Sequence, residues 1–260
     1  VDRAWFRVTP RDLLFLAADG LVSTAGFFAL YHYTISLTTV AVAVVLLYTA
    51  PAFAAIIARL VFREAMTPTK VVALALGFGG CVLVAELGKE QPAVVPLGVA
   101  TGLGAALTYA LFGIVGKSAR RRHGAWTIMF YAMGFGTLFL APLLAMPEAQ
   151  LRPYPGEVWL LLLALAAGPT LLSRVLYVAA VKHVEASRAA IVATVEPVSA
   201  SVFAFLLLGE TLSSSQLLGG VLVLAGAMLA QPQVARLPVA RSAGETRRAR
   251  RYESSEPRGS

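Results

Sequence analysis

Eight apolar segments dominate this chain, each close to the roughly 20 residues that an α-helix needs to cross a bilayer. Hydrophobic residues make up 58% of the 260 residues and charged residues only 14%, whereas soluble domains carry about 25% charged residues. The pattern therefore predicts an all-α integral membrane protein with eight transmembrane helices. The predicted spans are residues 12–31, 39–62, 69–87, 93–116, 125–146, 157–181, 187–208 and 214–231.

Connections rich in lysine and arginine alternate with connections that are poor in them along the whole chain. Because basic loops stay on the cytoplasmic side, the alternation predicts a multi-pass protein of the plasma or inner membrane with both termini in the cytoplasm. The rich connections hold Arg3, Arg7 and Arg11, then Arg59, Arg63 and Lys70, then Lys117 and Arg120 to Arg122, then Lys182 and Arg188, and finally seven arginines after residue 232; the poor ones hold Lys89, Arg152 or neither type.

The two halves of the chain match without a gap when the first is shifted by 146 residues. Pro51 then falls on Pro197 and Glu64 falls on Glu210. Five spans, an odd number, lie between the two copies of each helix, so we expect the second copy to sit upside down in the membrane. Inverted repeats of this kind are typical of secondary transporters.

This repeat predicts four parts of the chain. We expect a cytoplasmic segment at 1–11, a three-helix remnant of the first repeat at 12–91, a complete five-helix second repeat at 92–231, and a disordered basic cytoplasmic tail at 232–260. The first repeat lacks counterparts of the helices at 93–116 and 125–146. Those missing counterparts would fall before Val1. A late start is one explanation, and a natural eight-helix protein is the other.

Two stretches carry a resemblance to a known family. They are "EPVSASVFAFLLLGETLSSSQLLGGVLVLAGAML" at 196–229 and the weaker "APAFAAIIARLVFREAMTPTKVVALALGFGGCVLV" at 50–84. Both resemble the paired EamA domains of the drug/metabolite transporter superfamily, with a proline 13 residues before a glutamate and then a glycine-containing helix. The resemblance implies a carrier built from two inverted five-helix repeats, here without its first two helices. It also implies export of a small metabolite, such as an amino acid or a derivative.

Glu196 and Pro197 interrupt an apolar run near its middle. Glu196 lies about 14 Å into its span at 1.5 Å per residue, where a charge costs at least about 2.5 kcal/mol and normally faces a cavity or a partner. Proline has no N–H, so Pro197 and Pro51 each leave a carbonyl of the preceding turn without its helical donor. Matching breaks in two halves predict a substrate site at the midplane. The alternative is that both prolines only kink their helices and Glu196 is a structural partner.

Arg174 and Asp19 are the other charged candidates for substrate binding. Arg174 lies about 10 to 12 Å from the cytoplasmic end of its span, near the expected depth of Glu196, so an ion pair between them would offset part of the burial cost. Alone, Arg174 could bind a carboxylate or phosphate, or it could extend toward the cytoplasm. Asp19 would take a proton or pair with Arg174. Otherwise it is a solvated acid or the partner of a backbone break at Gly20.

Aromatic residues inside the spans supply further candidates. Tyr48 lies beside the break at Pro51, and Tyr109 lies well inside its span, so both are assigned to substrate binding. Tyr31 is assigned to the membrane interface, where tyrosine often anchors a helix end. Glu64 and Glu210 belong to the family signature, and the expected role is a hydrogen bond to the helix that follows through the short turn.

The residues favour a transporter that works by alternating access, and they do not favour an enzyme. His32, His123 and His183 lie at span ends, and the single Cys81 lies in an apolar run, so neither a metal site nor a cofactor is expected. The alternatives are a membrane-embedded enzyme or an inactive carrier that only inserts. The expected partners are the lipid bilayer, a small-molecule substrate and a coupling proton, without nucleic acid. Gly98 and Gly102 indicate either packing within one chain or a homodimer face.

The orientation can be tested with single cysteines. Cysteines introduced at Ser36, Ala149 and Ser213 should react from outside with an impermeant thiol reagent, because they lie in connections poor in lysine and arginine. A cysteine at Ser118 should not react. Labelling of position 118 from outside would overturn the orientation.

Overall fold

The computed structural model describes residues 8–85, 95–145, 155–208 and 213–230, and all regular structure in these ranges is helical. The predictions for residues 1–7, for Glu210 and for the tail after residue 231 concern residues outside these ranges. The helices are Pro10–Asp19 (α1), Phe27–Leu37 (α2), Val40–Leu47 (α3), Ala50–Phe62 (α4), Pro68–Val84 (α5), Pro96–Ala119 (α6), Ala125–Leu140 (α7), Gly156–Leu165 (α8), Ser173–Ala180 (α9), Ala186–Ala193 (α10), Glu196–Leu208 (α11) and Ser214–Ala230 (α12).

Six continuous or nearly continuous helical stretches within the described residues are long and apolar enough to cross a membrane. Two more apolar helices, α5 and α12, have 17 residues each, or about 25 Å at 1.5 Å per residue. The long stretches are Pro10–Leu37, Val40–Phe62, Pro96–Ala119, Ala125–Leu143, Gly156–Ala180 and Ala186–Leu207. An integral membrane fold follows from these lengths, with the two short helices at the predicted third and eighth spans.

The first stretch extends beyond its predicted end at residue 31. The polar residues at 32–36 do not end the helix, because their side chains bond to carbonyls of their own helix. His32 Nδ1 lies 2.8 Å from the carbonyl oxygen of Phe28, and Ser36 Oγ donates to Tyr33 at 2.8 Å. The chain turns only at Thr38, and Thr39 then caps α3 by accepting a bond from the N–H of Val42 at 3.2 Å.

Helix boundaries recur at the interval seen in the sequence. Adding 146 to the bounds of α3, α4 and α5 gives the bounds of α10, α11 and α12. The two π-helical segments, Gly20–Gly26 and Ala166–Leu172, are also 146 residues apart. Their surroundings differ, since the first contains four buried residues and packs against α6 and α7, whereas the second contains none. Local sequence therefore sets the boundaries, and packing differs between the copies.

The most extensive helix contact joins α5 to α12, and glycines make it close. A Cβ atom built on Gly80 would lie 2.6 Å from the carbonyl oxygen of Gly219, and one on Gly219 would lie 2.6 Å from that of Gly80. A Cβ atom on Gly226 would lie 2.8 Å from the carbonyl oxygen of Ala73. The pairing shows that the two helices run antiparallel. Exchanging the copies by 146 residues turns the first contact, Gly80 with Gly219, into the second.

Gly98 and Gly102 pack within the chain. A Cβ atom on Gly98 would lie 2.5 Å from Thr38 Cγ2, and one on Gly102 would lie 2.5 Å from Leu46 Cδ1. Both glycines are buried. The intrachain interpretation of this glycine pair is therefore the one that fits the structure.

Gly80→Ala should destabilise the fold, because the added methyl group would meet backbone atoms of α12 that cannot move alone. We expect a loss of about 1–3 kcal/mol in the free energy of unfolding, less the gain of up to about 1 kcal/mol for replacing glycine in a helix. Thermal and denaturant unfolding in detergent would measure it. Gly79→Ala is the matched control, since its Cβ would meet nothing within 4 Å, and equal effects of the two substitutions would refute the close contact.

Candidate functional site

Two helix interruptions at equivalent positions form the centre of the molecule. α3 ends at Leu47 and α4 begins at Ala50, while α10 ends at Ala193 and α11 begins at Glu196. Pro51 and Pro197 are each the second residue of the new helix. Since proline has no N–H, the carbonyl four residues earlier receives no bond from that position.

Threonine hydroxyls bond to backbone carbonyls at both interruptions. Thr49 Oγ1 donates to the carbonyl of Leu46 at 2.6 Å, and Thr194 Oγ1 donates to that of Ile191 at 2.7 Å. The breaks are thus stabilised locally, and they can persist in the apolar interior.

A cavity of about 140 Å³ lies between the two interruptions, and we call it the central cavity. Its polar groups are the hydroxyls of three tyrosines and Thr194 and the carboxylate of Glu196. Glu196 lines this cavity and is the first residue of α11, where the helix dipole favours a negative charge. The residues with these polar groups are Tyr31, Tyr48, Tyr109, Thr194 and Glu196.

A second, apolar cavity of about 290 Å³ adjoins the central cavity. Tyr48, Pro51 and Thr194 line both, so the two cavities share a wall. Beyond that wall the second cavity is bounded by small or apolar residues such as Gly77 and Phe78. We call it the apolar pocket.

Arg174 lies outside the central cavity, on a cluster of aromatic rings. Its guanidinium carbon is 5.7 Å, 5.4 Å and 4.9 Å from the ring centroids of Phe27, Phe28 and Phe112. One of its terminal nitrogens is buried and has no hydrogen-bond partner. Arg174 interacts electrostatically with Glu196 and Asp19, but no ion pair within 4.0 Å joins it to either of these described residues. Cation–π contacts therefore take the place of the direct pair with Glu196 considered from the sequence.

Asp19 also lies outside the central cavity. It is the last residue of α1, next to the π-helical segment, and only 3% of it is exposed. Neither of its carboxylate oxygens has a hydrogen-bond partner, and the same is true of Ser23 Oγ. The neighbouring Gly20 packs against α7, since a Cβ atom there would lie 2.7 Å from the carbonyl oxygen of Ala132. Asp19 is thus a buried acid in a tightly packed interface.

Comparison with known proteins identifies the family. The model of the EamA-like transporter family matches residues 2–85 and again residues 96–230. The chain belongs to the EamA-like transporter family. Its homologues are named as transporters, so a membrane transporter is the function shown at this level.

Three known proteins illustrate the likeness. An uncharacterized transporter of Archaeoglobus fulgidus is 33% identical over 222 residues, which is 85% of this chain and 76% of that protein. A probable terminal-alkyne amino-acid exporter of Streptantibioticus cattleyicolor is 28% identical over 223 residues, covering 86% and 74% of the two chains. A crystal structure aligns with a TM-score of 0.76 at 16% identity, over 88% of this chain and 78% of the other. That last likeness shows the fold alone.

Sequence reasoning found part of the central cavity of this EamA-like chain. Tyr48, Tyr109 and Glu196 line it, as does Pro51, whereas Arg174, Asp19 and Pro197 do not. Two polar lining residues were missed, Tyr31 and Thr194. Tyr31 coincides with Tyr177 at the 146-residue interval, but Tyr177 does not line this cavity, so the repeat alone did not identify Tyr31.

The structure places Tyr31 in the wall of the central cavity, a position that the sequence did not predict. α2 continues past it to Leu37, which leaves Tyr31 inside the helix and not at its end. Its ring stacks on Phe27 at a centroid distance of 5.6 Å, and Phe27 lies 5.3 Å from the ring of Tyr109. Phe27 also lies under Arg174. The aromatic cluster thus connects the central cavity with the buried cation.

The expected role of Glu64 needs correction as well. Its carboxylate does not bond to the start of the following helix but to the start of α10, more than 120 residues away. The N–H of Ala186 donates to Oε1 at 2.9 Å, and Ser187 donates to Oε2 from its N–H at 3.3 Å and from its hydroxyl at 2.5 Å. Lys117 donates to Oε1 at 2.9 Å, and Lys70 lies 3.9 Å from Oε2. Residues 63–67 form a short turn. Arg63 has the left-handed αL conformation at the end of α4, so the chain changes direction there, immediately before Glu64.

These partners set the charge of Glu64. Burial alone would raise the pKa of its carboxyl, but the hydrogen bonds from Ser187, Lys117 and the N–H of Ala186 outweigh burial, so the pKa lies below its usual value. Lys70 is also held by Glu185 at 3.0 Å. Glu64 and its partners thus form a closed polar cluster that joins α4, α5, α6 and α10.

Glu64→Gln should weaken the fold at neutral pH, because Lys117 and Lys70 lose their shared anion. We expect a loss of about 2–4 kcal/mol in the free energy of unfolding, near the cost of breaking a buried ion pair. A carboxyl with a lowered folded pKa stabilises above its unfolded pKa of about 4.3 and loses that effect as the pH falls through the folded pKa. The deficit should therefore shrink below about pH 4.

Denaturant unfolding in detergent at several pH values would measure this effect. Glu157→Gln is the control, since Glu157 is an exposed carboxylate in the first turn of α8. A deficit of the same size at pH 3 and pH 7 would argue against an ionised Glu64.

Proposed function

We propose that this protein is a secondary transporter that exports a small metabolite with an amino group, such as an amino acid or a derivative, and that the central cavity is its substrate site. The observation that carries the proposal is the carboxylate of Glu196 in a cavity between two equivalent helix interruptions. Discontinuous helices at corresponding positions of two halves are the usual setting of a transporter's substrate site.

The chemistry of the cavity favours a cationic group on the substrate. Glu196 supplies a negative charge, and the tyrosine hydroxyls around it can accept or donate hydrogen bonds. An ammonium group has three donors and no acceptor, so it matches a carboxylate with hydroxyl neighbours. Arg174 interacts with Glu196 electrostatically from outside the cavity and favours the ionised carboxylate there.

The apolar pocket supports a substrate with an apolar side chain. It adjoins the central cavity through Tyr48, Pro51 and Thr194, so one molecule can place its charged end near Glu196 and its apolar end beside Phe78. One relative is named a probable terminal-alkyne amino-acid exporter. A terminal-alkyne amino acid has this division into a charged end and an apolar end.

The repeat supports alternating access by two inverted halves within an eight-helix arrangement. The matching bounds of α3 to α5 and α10 to α12 favour two copies of one unit, and the antiparallel contact of α5 with α12 is the one expected at a two-fold axis in the membrane plane. Rocking of one copy against the other around a fixed site would expose the central cavity to each side in turn.

In the orientation that we propose, the protein spans the plasma or inner membrane several times and has both termini in the cytoplasm. Lys70, Lys117 and Arg188 lie together in the polar cluster around Glu64 and Glu185. They belong to three different connections rich in lysine and arginine, and basic connections stay on the cytoplasmic side. Export then moves substrate from this side to the opposite one.

Glu196→Gln keeps the size of the side chain and removes its charge. Loss of a charged hydrogen bond costs about 1.5–3 kcal/mol, which corresponds to a fall in transport of roughly 10- to 100-fold. Proteoliposomes loaded with the twenty common amino acids, each radiolabelled in turn, would measure counterflow for the wild type and the variant. Aliphatic and aromatic amino acids should be the better substrates.

Two controls make the result interpretable. Glu157→Gln should transport at the wild-type rate, because Glu157 lies exposed on α8. Equal thermal unfolding of both variants would show that the folds are intact. Unchanged rate, affinity and pH profile in Glu196→Gln would leave this residue a structural role only.

A further inference from the structure

Asp19 is a buried acid that the proposed substrate site does not use. It is 97% buried, counted from its exposed fraction of 3%, and the adjacent Ser23 is 1% exposed. Both carboxylate oxygens and the Ser23 hydroxyl are buried, and although Ser23 interacts with Asp19, no contact with hydrogen-bond geometry satisfies any of the three atoms. Buried polar groups are nearly always paired in folded proteins, so three unpaired atoms at one place call for an explanation.

An ionised carboxylate at this position would be very costly. Moving an isolated charge out of water costs several kcal/mol even after relaxation, and the group normally takes up a proton instead. Within the described ranges no cation lies within 4.0 Å of Asp19. A neutral carboxyl would have a single O–H to place, and Ser23 Oγ on the next turn is a free acceptor for it.

The charged and titratable groups around Asp19 leave Arg174 as its electrostatic partner. On its own helix, Asp12 is held by Arg122 and His123, and Arg11 lies at the same exposed end. The packed helices contribute Tyr131 from α7, Tyr109 and Lys117 from α6, and Arg174 and Tyr177 from α9; Lys117 is bound to Glu64. Arg174 interacts with both Asp19 and Glu196.

Two acids therefore share one buried cation. If both were ionised, the interior would carry an uncompensated negative charge, whereas one ionised acid and Arg174 are neutral together. The neutral arrangement has one proton bound to one of the two carboxyls. Glu196 lines a cavity and is the first residue of a helix, and both settings favour a negative charge. Asp19 has neither setting, so the ionised group is Glu196 and the protonated one is Asp19.

We propose that Asp19 is the proton-binding site of this transporter and that Arg174 couples it to the central cavity. When the ammonium group of a substrate neutralises Glu196, the field of Arg174 is available to Asp19. The O–H bond of the carboxyl then breaks, the electron pair stays on the carboxylate, and the proton leaves to water. Release of the substrate reverses the step, so one proton moves against one substrate molecule. The coupling rests on the proposed function, whereas the protonated state of Asp19 does not.

The protonated state can be tested without a substrate, because the chain has three aspartates, Asp2, Asp12 and Asp19. Aspartate labelled with ¹³C in the side-chain carboxyl gives three NMR signals in the reconstituted protein. As the pH is raised, one signal should keep the chemical shift of a protonated carboxyl to a higher pH than the other two, and this signal should be absent from Asp19→Asn and present in Asp12→Asn. Three carboxyls that all titrate near the usual aspartate pKa of about 3.9 would overturn the proposal, as would a signal that responds to Na⁺ and not to pH.

The role of Arg174 is tested by the same signal. In Arg174→Gln the protonated signal should persist to higher pH than in the wild type, because the ionised form has lost its partner. An unchanged titration would remove Arg174 from the proposal. If Asp19→Asn does not fold, the titration of the wild-type signals with Asp12→Asn as the assignment control still decides the protonation state.

Transport tests the coupling. With an amino acid that the wild type carries, Asp19→Asn should retain exchange of labelled for unlabelled substrate and should lose accumulation driven by a pH gradient. Loss of exchange along with accumulation would make Asp19 structural and overturn the coupling. If the wild type carries none of the twenty amino acids, the proposed substrate class fails, while the NMR result decides the proton site independently.

Discussion

The carboxylate of Glu64 holds the two halves of this protein together. It accepts bonds from the first N–H groups of α10, which have no partner within their own helix, and it pairs with Lys117 of α6. Because α10 is only eight residues long before its interruption, the position of its first turn fixes that of Glu196 as well. One acid at the edge of the bundle therefore determines where the acid at its centre lies.

A bilayer requires every backbone polar group in its interior to find a partner inside the protein, and this chain meets that demand while interrupting two helices. Thr49 and Thr194 bond to carbonyls beside the breaks. The second residue of the helix after each break is a proline, which has no N–H to be satisfied. The interruptions face each other across the central cavity. Close approach of α5 and α12 through Gly80 and Gly219 gives the rest of the bundle a compact support.

Electrostatics divides the interior into two sites with different chemistry. Glu196 is open to a cavity with hydroxyl neighbours, whereas Asp19 is enclosed between α1 and α7 without a hydrogen-bond partner. Arg174 lies on aromatic rings between them and pairs directly with neither. A cation held by aromatic faces keeps its charge available to both acids, and the proposed coupling of substrate binding to protonation rests on this arrangement.

The sequence by itself determined the helices and their interruptions. Apolar length and proline act within one or two turns, so the 146-residue repeat predicted the breaks beside Pro51 and Pro197, and with them Tyr48 and Glu196. Tyr109 was predicted from its depth inside its own span. Tertiary structure alone decided the partners of Glu64, the place of Tyr31 in the cavity and the separation of Asp19 from Arg174. These depend on which helices pack together, because a side chain is paired by neighbours that can lie more than 100 residues away, and no local pattern records them.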